Sequence, residues 1–140
     1  MEENTVTNLA QLTGVITSAP AVSHVSRGET FYTFALTVRR LSGAADTINV
    51  IARRELLDTI DASELQKLRV TGELRSFNNK SGEGAKLVIT VFAKELCPCS
   101  GEDEDENIVR LTGTLCKPPN LRVTPMGRDI CDLMLAVNRK

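Results

Sequence analysis

The sequence predicts a mainly β protein: a five-stranded barrel with one short helix, followed by the first strands of a second barrel. Three observations lead there. Strand-type alternation recurs through residues 6–97, and the 12–40 segment is repeated at 111–139. Glycines also sit mid-strand at Gly14 and Gly72, where a small closed sheet must coil sharply.

The elements follow in chain order. Leu9 to Ser18 is rich in strand formers, with Gly14 marking a bend or bulge, and it ends before Pro20. Ser26-Arg27-Gly28 punctuates the chain, and Glu29 to Arg40 then alternates strictly. Tyr32, Phe34, Leu36 and Val38 share one face, and Phe31, Thr33, Ala35, Thr37 and Arg39 the other. A turn from Leu41 to Ala44 leads into a third strand, 46–52. The helical candidate is 55–66, with a stripe of Leu56, Leu57, Ile60 and Leu65 broken by Asp61-Ala62-Ser63. From Lys67 to Phe77 alternation returns: Leu68, Val70 and Leu74 point inward, while Arg69, Thr71, Glu73, Arg75 and Phe77 point outward. Asn78 to Gly84 reads as a hairpin loop. The last strand, 85–96, is expected to bury Leu87, Ile89 and Val91 and to expose Lys86, Val88, Thr90, Phe92 and Lys94.

Three strands, a short helix and a long hairpin form the order of the oligonucleotide-binding (OB) fold. An α+β sheet with one helix is the alternative, and the two mid-strand glycines favour the closed barrel.

Superposing Leu12-Thr13-Gly14 on Leu111-Thr112-Gly113 without a gap gives eight identities over 29 positions at a constant offset of 99. Pro20 falls on Pro119 and Gly28 on Gly127, with Leu36, Val38 and Arg40 on Leu135, Val137 and Arg139. The chain is read as a duplicated unit: an OB domain at 6–97, an acidic linker at 98–107, and the N-terminal part of a second OB domain at 108–140.

The formal net charge of −1 is unevenly spread. Residues 1–96 carry 11 basic and 11 acidic residues, and residues 107–140 carry six and two. The acidity is concentrated in Glu102-Asp103-Glu104-Asp105-Glu106. That run is expected to be a solvated linker, with mimicry of nucleic-acid phosphates as its functional alternative. Charge therefore neither supports nor excludes a nucleic-acid partner. No apolar stretch approaches a membrane span, and Met1-Glu2-Glu3-Asn4 does not open a signal peptide, so a cytoplasmic protein is expected. Cys97, Cys99, Cys116 and Cys131 are read as reduced thiols, with Cys131 on a strand. One residue separates Cys97 from Cys99, too few for a usual zinc site, and His24 is remote, so no metal or other cofactor is expected. His24 itself reads as an ordinary loop histidine.

Three stretches carry a family resemblance: Asn107 to Leu115, Pro119 to Arg128, and Leu133 to Arg139. Together they resemble the opening of bacterial single-stranded DNA-binding proteins, and Val70-Thr71-Gly72-Glu73-Leu74-Arg75 resembles the family's fourth strand. The resemblance implies a barrel that binds single strands with little sequence preference and assembles into dimers or tetramers through its first strand. Replication and repair proteins are further partners it suggests, and a nucleoid-associated location follows. Two departures stand out. Members usually end in an acidic tail with a hydrophobic tip, whereas this sequence stops at Asn138-Arg139-Lys140. Its second barrel also lacks the last three strands. A fragment of a longer protein is expected, or completion by another subunit.

Single strands are held by aromatic platforms under the bases and by cations along the phosphates. Among the outward aromatics Phe77 is the first candidate, since it shares a face with Arg69 and Arg75 and leads into Asn79 and Lys80; Phe31 and Phe92 follow. Arg39, Arg69, Arg75, Lys80 and Lys86 are the phosphate candidates, and Arg53-Arg54 are weaker ones. Arg122, Arg128 and Arg139 follow from the family resemblance. No catalytic constellation is present, so no enzyme is expected. A protein-interaction barrel of primosome type and an RNA-binding protein are the rival readings.

Overall fold

The computed structural model describes residues 7–60, 66–78 and 87–138, with the side chains of Phe77 and Asn78 outside that description. Alternation of β-branched and aromatic residues builds the strands β1 (Asn8–Ile16), β2 (Ala21–Ser26), β3 (Glu29–Arg39) and β4 (Ala45–Arg53). A helix α1 (Arg54–Leu57) and the strands β5 (Lys67–Asn78) and β6 (Leu87–Pro98) follow. β1 pairs antiparallel with β5 and, at Val15 and Ile16, with β3. β3 pairs antiparallel with β4, β4 runs parallel to β6 at Val50 and Ile51, and β6 returns antiparallel to β5. The ring β1-β3-β4-β6-β5 thus closes on itself as an OB-type barrel, which removes the edges an open sheet would present.

Inward alternation fills the barrel. Leu12, Phe34, Leu36, Val50, Leu68, Val70 and Val91 are buried in one cluster, with Leu56, Leu57 and Ile60 packed against it. Leu36→Ala is expected to cost about 2–5 kcal/mol, because it opens a cavity in a fully buried site; a denaturant titration measures this. The mid-strand glycines are where backbones come closest. A Cβ on Gly14 would run into the Thr37 carbonyl oxygen, and one on Gly72 into that of Phe92.

Four features differ from the sequence expectations. β2 is a strand where a loop was expected, joined to β3 by a tight turn with Arg27 and Gly28 both at positive φ. All six of its residues are exposed, so no buried face marks it in the sequence. The described helix spans four residues rather than the expected twelve, and Leu65 lies outside the described residues. In β6, Leu87 and Ile89 are exposed instead of buried, and Thr90 and Phe92 are buried instead of exposed. Leu87 and Ile89 pair with Asn78 and Ser76 on an arm that, among the described residues, joins none of the other strands, whereas Val91 and Phe92 lie beside β4. The acidic run is the fourth difference: it lies within the compact unit Leu9–Val109 and makes defined contacts there. The expected 78–84 loop lies almost wholly outside the described residues.

A second compact unit comprises, among the described residues, 7–8 and 110–138. Within it β8 (Thr114–Leu115) pairs with β11 (Leu135–Ala136), and β9 (Asn120–Val123) pairs with β10 (Asp129–Asp132). Thr114↔Ala136 and Leu115↔Leu135 stand 99 residues beyond Val15↔Thr37 and Ile16↔Leu36. Asn120↔Asp132 stands likewise beyond Ala21↔Thr33. Gly113 would meet the Ala136 carbonyl as Gly14 would meet that of Thr37. A further strand, β7, covers Glu106–Leu111.

Candidate nucleic-acid interface

Side chains that leave the barrel's core on β2, β3, β4, β5 and β6 converge on one outer patch. Phe31 on β3 lies opposite His24 on β2 and Arg53 on β4. Phe92 on β6 lies beside Ile51 of β4 and opposite Glu73 of β5. The His24 and Phe31 rings stack with centroids 4.8 Å apart and planes 10° apart. Phe31 and Phe92 follow at 5.9 Å and 45°. Neither phenylalanine belongs to the central core cluster; each lies on the strand face opposite it, which the sequence reading expected to be exposed. Yet they are only 8% and 7% exposed, because neighbouring rings and cations cover them.

Among the described residues three cations surround Phe92. The Arg75 guanidinium carbon lies 4.0 Å from the ring centroid, Lys94 Nζ 5.2 Å and the Arg53 guanidinium carbon 6.0 Å. These are cation–π distances, favoured by the negative ring face. Two of the cations also meet carboxylates. Arg75 Nε and Nη2 donate to Glu73 Oε1 at 2.8 and 2.5 Å, and Arg53 Nε lies 3.4 Å from Glu29. Such a patch offers π-faces for bases and positive charge for phosphates.

Of the sequence candidates, the structure brings together Phe31, Phe92 and Arg75. Phe77 sits on β5 opposite Val88, with its side chain outside the described residues. Asn79, Lys80, Lys86 and Arg139 lie outside the described residues altogether. Arg69 shares the outward face of β5 with Arg75 but lies six residues away, about 20 Å along the strand. Arg122 is ion-paired with Asp132 at 2.7 Å, and the Arg128 amide donates to Thr124 Oγ1 at 3.1 Å in the β9–β10 turn. Sequence reasoning passed over His24 and Lys94 and ranked Arg53 low. A register shift in β2 between Val22 and His24 puts His24 opposite Phe31, and simple alternation gives no sign of such a bulge.

Arg39 and Arg69 lie instead beside the acidic run. The Arg39 amide donates to Asp105 Oδ2 at 2.8 Å, and Lys67 Nζ pairs with Asp105 at 2.8 Å and also donates to the Asp103 carbonyl. Glu106 accepts from the fully buried Thr13 hydroxyl at 3.2 Å and lies 3.8 Å from Arg69. Burial pushes the Asp105 carboxyl upward, but the Lys67 ammonium and the Arg39 amide outweigh it and hold the group below the usual carboxylate range. Because the folded value is depressed, its contribution to stability is present above the unfolded pKa of about 4 and is lost as pH falls through the folded value. Asp105→Asn is expected to lower stability at pH 7 by about 1–2 kcal/mol and to flatten the acid limb of the stability profile. Denaturant titrations of both proteins between pH 7 and pH 3 check this.

No protein-family model matches the sequence, and no curated protein matches it significantly. Solved structures do match. The wild-type single-stranded DNA-binding protein (SSB) of Thermus aquaticus is 25% identical with a TM-score of 0.75, over 94% of this chain and 68% of that one. The dimeric N-terminal domain of PriB from Thermoanaerobacter tencongensis is 29% identical with a TM-score of 0.58, over 66% and 97%. This chain is an SSB-like OB-fold protein. The fold is also seen in the Plasmodium falciparum SSB complex with single-stranded DNA, at 17% identity and a TM-score of 0.56 over 71% and 100%. In the SSB-like chain the four exposed or half-exposed cysteines are free thiols, and Cys131 lies on β10. Among the described residues no helix is long and apolar enough to cross a membrane.

Proposed function

We propose that this SSB-like chain binds single-stranded DNA on the outer patch formed by Phe31 and Phe92, without catalysing a reaction. The observation that carries the reading is a pair of adjoining phenylalanines with three cations gathered around the Phe92 ring, a pairing of stacking surface and positive charge that a core does not need. Stacking contributes about 1–3 kcal/mol per base and accepts any base, so binding is expected to show little sequence preference. Arg53, Arg75 and Lys94 supply phosphate contacts, with Phe77, Lys80 and Lys86 as further candidates from the sequence. Arg122, Arg128 and Arg139 would act in the second unit, read as the opening of a second OB domain because its strand pairings repeat those of the first at an offset of 99. Protection of single strands in replication, recombination or repair is the matching role, in a homo-oligomer associated with the nucleoid. The likeness to a PriB dimer and to SSBs supports that assembly.

A protein-interaction barrel is the second reading. It is favoured by the low exposure of both phenylalanines and by the carboxylates already paired with Arg53 and Arg75. Titrating a labelled thymidine oligomer and a duplex of equal length separates the two. The DNA reading requires preference for the single strand and a slope of about −2 in log K against log salt, from three phosphate contacts. No binding at low salt leaves the interaction module.

A further inference from the structure

Resting on the DNA reading above, we infer that Glu73 is a built-in competitor for the nucleic acid, holding Arg75 as a lid over the Phe92 ring. Phe92 is the centre of the patch, and its nearest cation is Arg75, at 4.0 Å from the centroid against 5.2 and 6.0 Å for Lys94 and Arg53. A guanidinium carbon at 4.0 Å stands where a stacked base would lie, since planar groups pack at about that spacing. The ring is accordingly 7% exposed although it faces away from the core. Arg75 is kept in place from one side: both its Nε and Nη2 donate to the same oxygen, Glu73 Oε1. Glu73 is itself positioned by pairing, because its register partner across the ladder is Phe92. The carboxylate thus holds the edge of the guanidinium while the ring lies 4.0 Å from its centre, and side-chain exposures of 29% and 23% make the ion pair stronger than a fully solvated one.

A phosphate presents the same acceptor geometry to a guanidinium as a carboxylate does. An incoming strand can therefore take Arg75 from Glu73 with little net loss of hydrogen bonding. As the guanidinium turns toward the phosphate it leaves the ring face, and a base takes its place. Opening of the stacking platform is then coupled to phosphate capture, and a free base or an apolar ligand, which offers Arg75 no anion, does not open it. Glu73 tunes affinity downward, and Arg75 changes partner during binding.

The test is a double-mutant cycle on binding of a labelled thymidine oligomer at low salt, with Glu73→Gln, Arg75→Ala and the double variant. Glu73→Gln should tighten binding about three- to tenfold, since the competing pair is lost. In the Arg75→Ala background the same change should shift affinity less than about twofold, because there is no lid to release. Equal gains in both backgrounds would mean simple relief of charge repulsion and would overturn the competitor role while leaving DNA binding intact. Weaker binding by Glu73→Gln would show that Glu73 presents Arg75 to DNA, which also overturns it. Failure of the wild-type protein to bind would overturn the DNA reading and this inference together. A second readout needs no variant: the Arg75 Nε–H resonance should move on addition of oligomer, and a resonance that stays fixed at saturation rejects the exchange.

Discussion

Phe92→Ala is expected to weaken binding of a thymidine oligomer about ten- to hundredfold, the largest functional effect of any single substitution in the barrel. Phe92 combines three roles. It is a stacking face, it supports the tilted contact with Phe31, and it is the surface on which Arg75, Lys94 and Arg53 gather. Removing the ring takes away the platform and leaves the cations without their common anchor, so loss of affinity should exceed that of any one cation. Phe31→Ala should cost less, because His24 remains beside it on β2. Because Phe92 is largely covered, Phe92→Ala should also lower stability, and binding must be measured where circular dichroism shows the variant folded. A comparable affinity for wild type and folded Phe92→Ala would remove the patch from the binding site.

The second large effect concerns the barrel itself. Gly72→Ala is expected to destabilise the protein by about 3–5 kcal/mol, at the upper end of single substitutions. The new methyl would run into the Phe92 carbonyl, a backbone atom that cannot swing aside as a side chain can. The ladder already shifts register between Thr71 and Gly72, so the strand has little room to slide. Gly14→Ala should behave similarly against the Thr37 carbonyl. A shift in the thermal midpoint of roughly 6 °C or more is anticipated for either variant, and a midpoint within 2 °C of wild type would refute the close-packed corner. Because the clash at Gly72 lies beneath Phe92, Gly72→Ala should also disturb the outer patch.

Much of this fold was legible because its signals are local. Strict alternation in Glu29 to Arg40 places Phe34, Leu36 and Val38 in the core, and the structure agrees, whereas Phe31, expected outward, is buried against the His24 and Phe92 rings. Gly14 and Gly72 announced the corners by occurring where strands otherwise favour branched side chains. The misreadings share a different cause. β2 has no buried face, so alternation had nothing to report, and its bulge then moved His24 to the one position that stacks on Phe31. Leu87 and Ile89 obey the same periodicity as Val91, but period alone cannot tell where an arm leaves the barrel. The acidic run looked solvated by composition, whereas Asp105 finds its partners in Lys67 and the Arg39 amide, 38 and 66 residues away in sequence. Those are tertiary pairings, invisible to any window of the chain.

The same distinction applies to the site. Outward aromatics could be named from strand faces, but grouping them required knowing that β4 and β6 run parallel, which sets Phe92 beside Ile51 and near Phe31. Arg69 and Arg75 looked equivalent on one face of β5. The structure separates them, one beside Glu106 and the other on Phe92.

The most direct measurement is amide chemical-shift mapping of the protein titrated with an unlabelled thymidine oligomer. Binding to the outer patch predicts that the largest shifts fall on residues 30–32, 51–53, 73–75 and 91–94, with core strand β1 little affected. Shifts concentrated at Ser100 to Glu106, or none at saturating oligomer, would contradict the account.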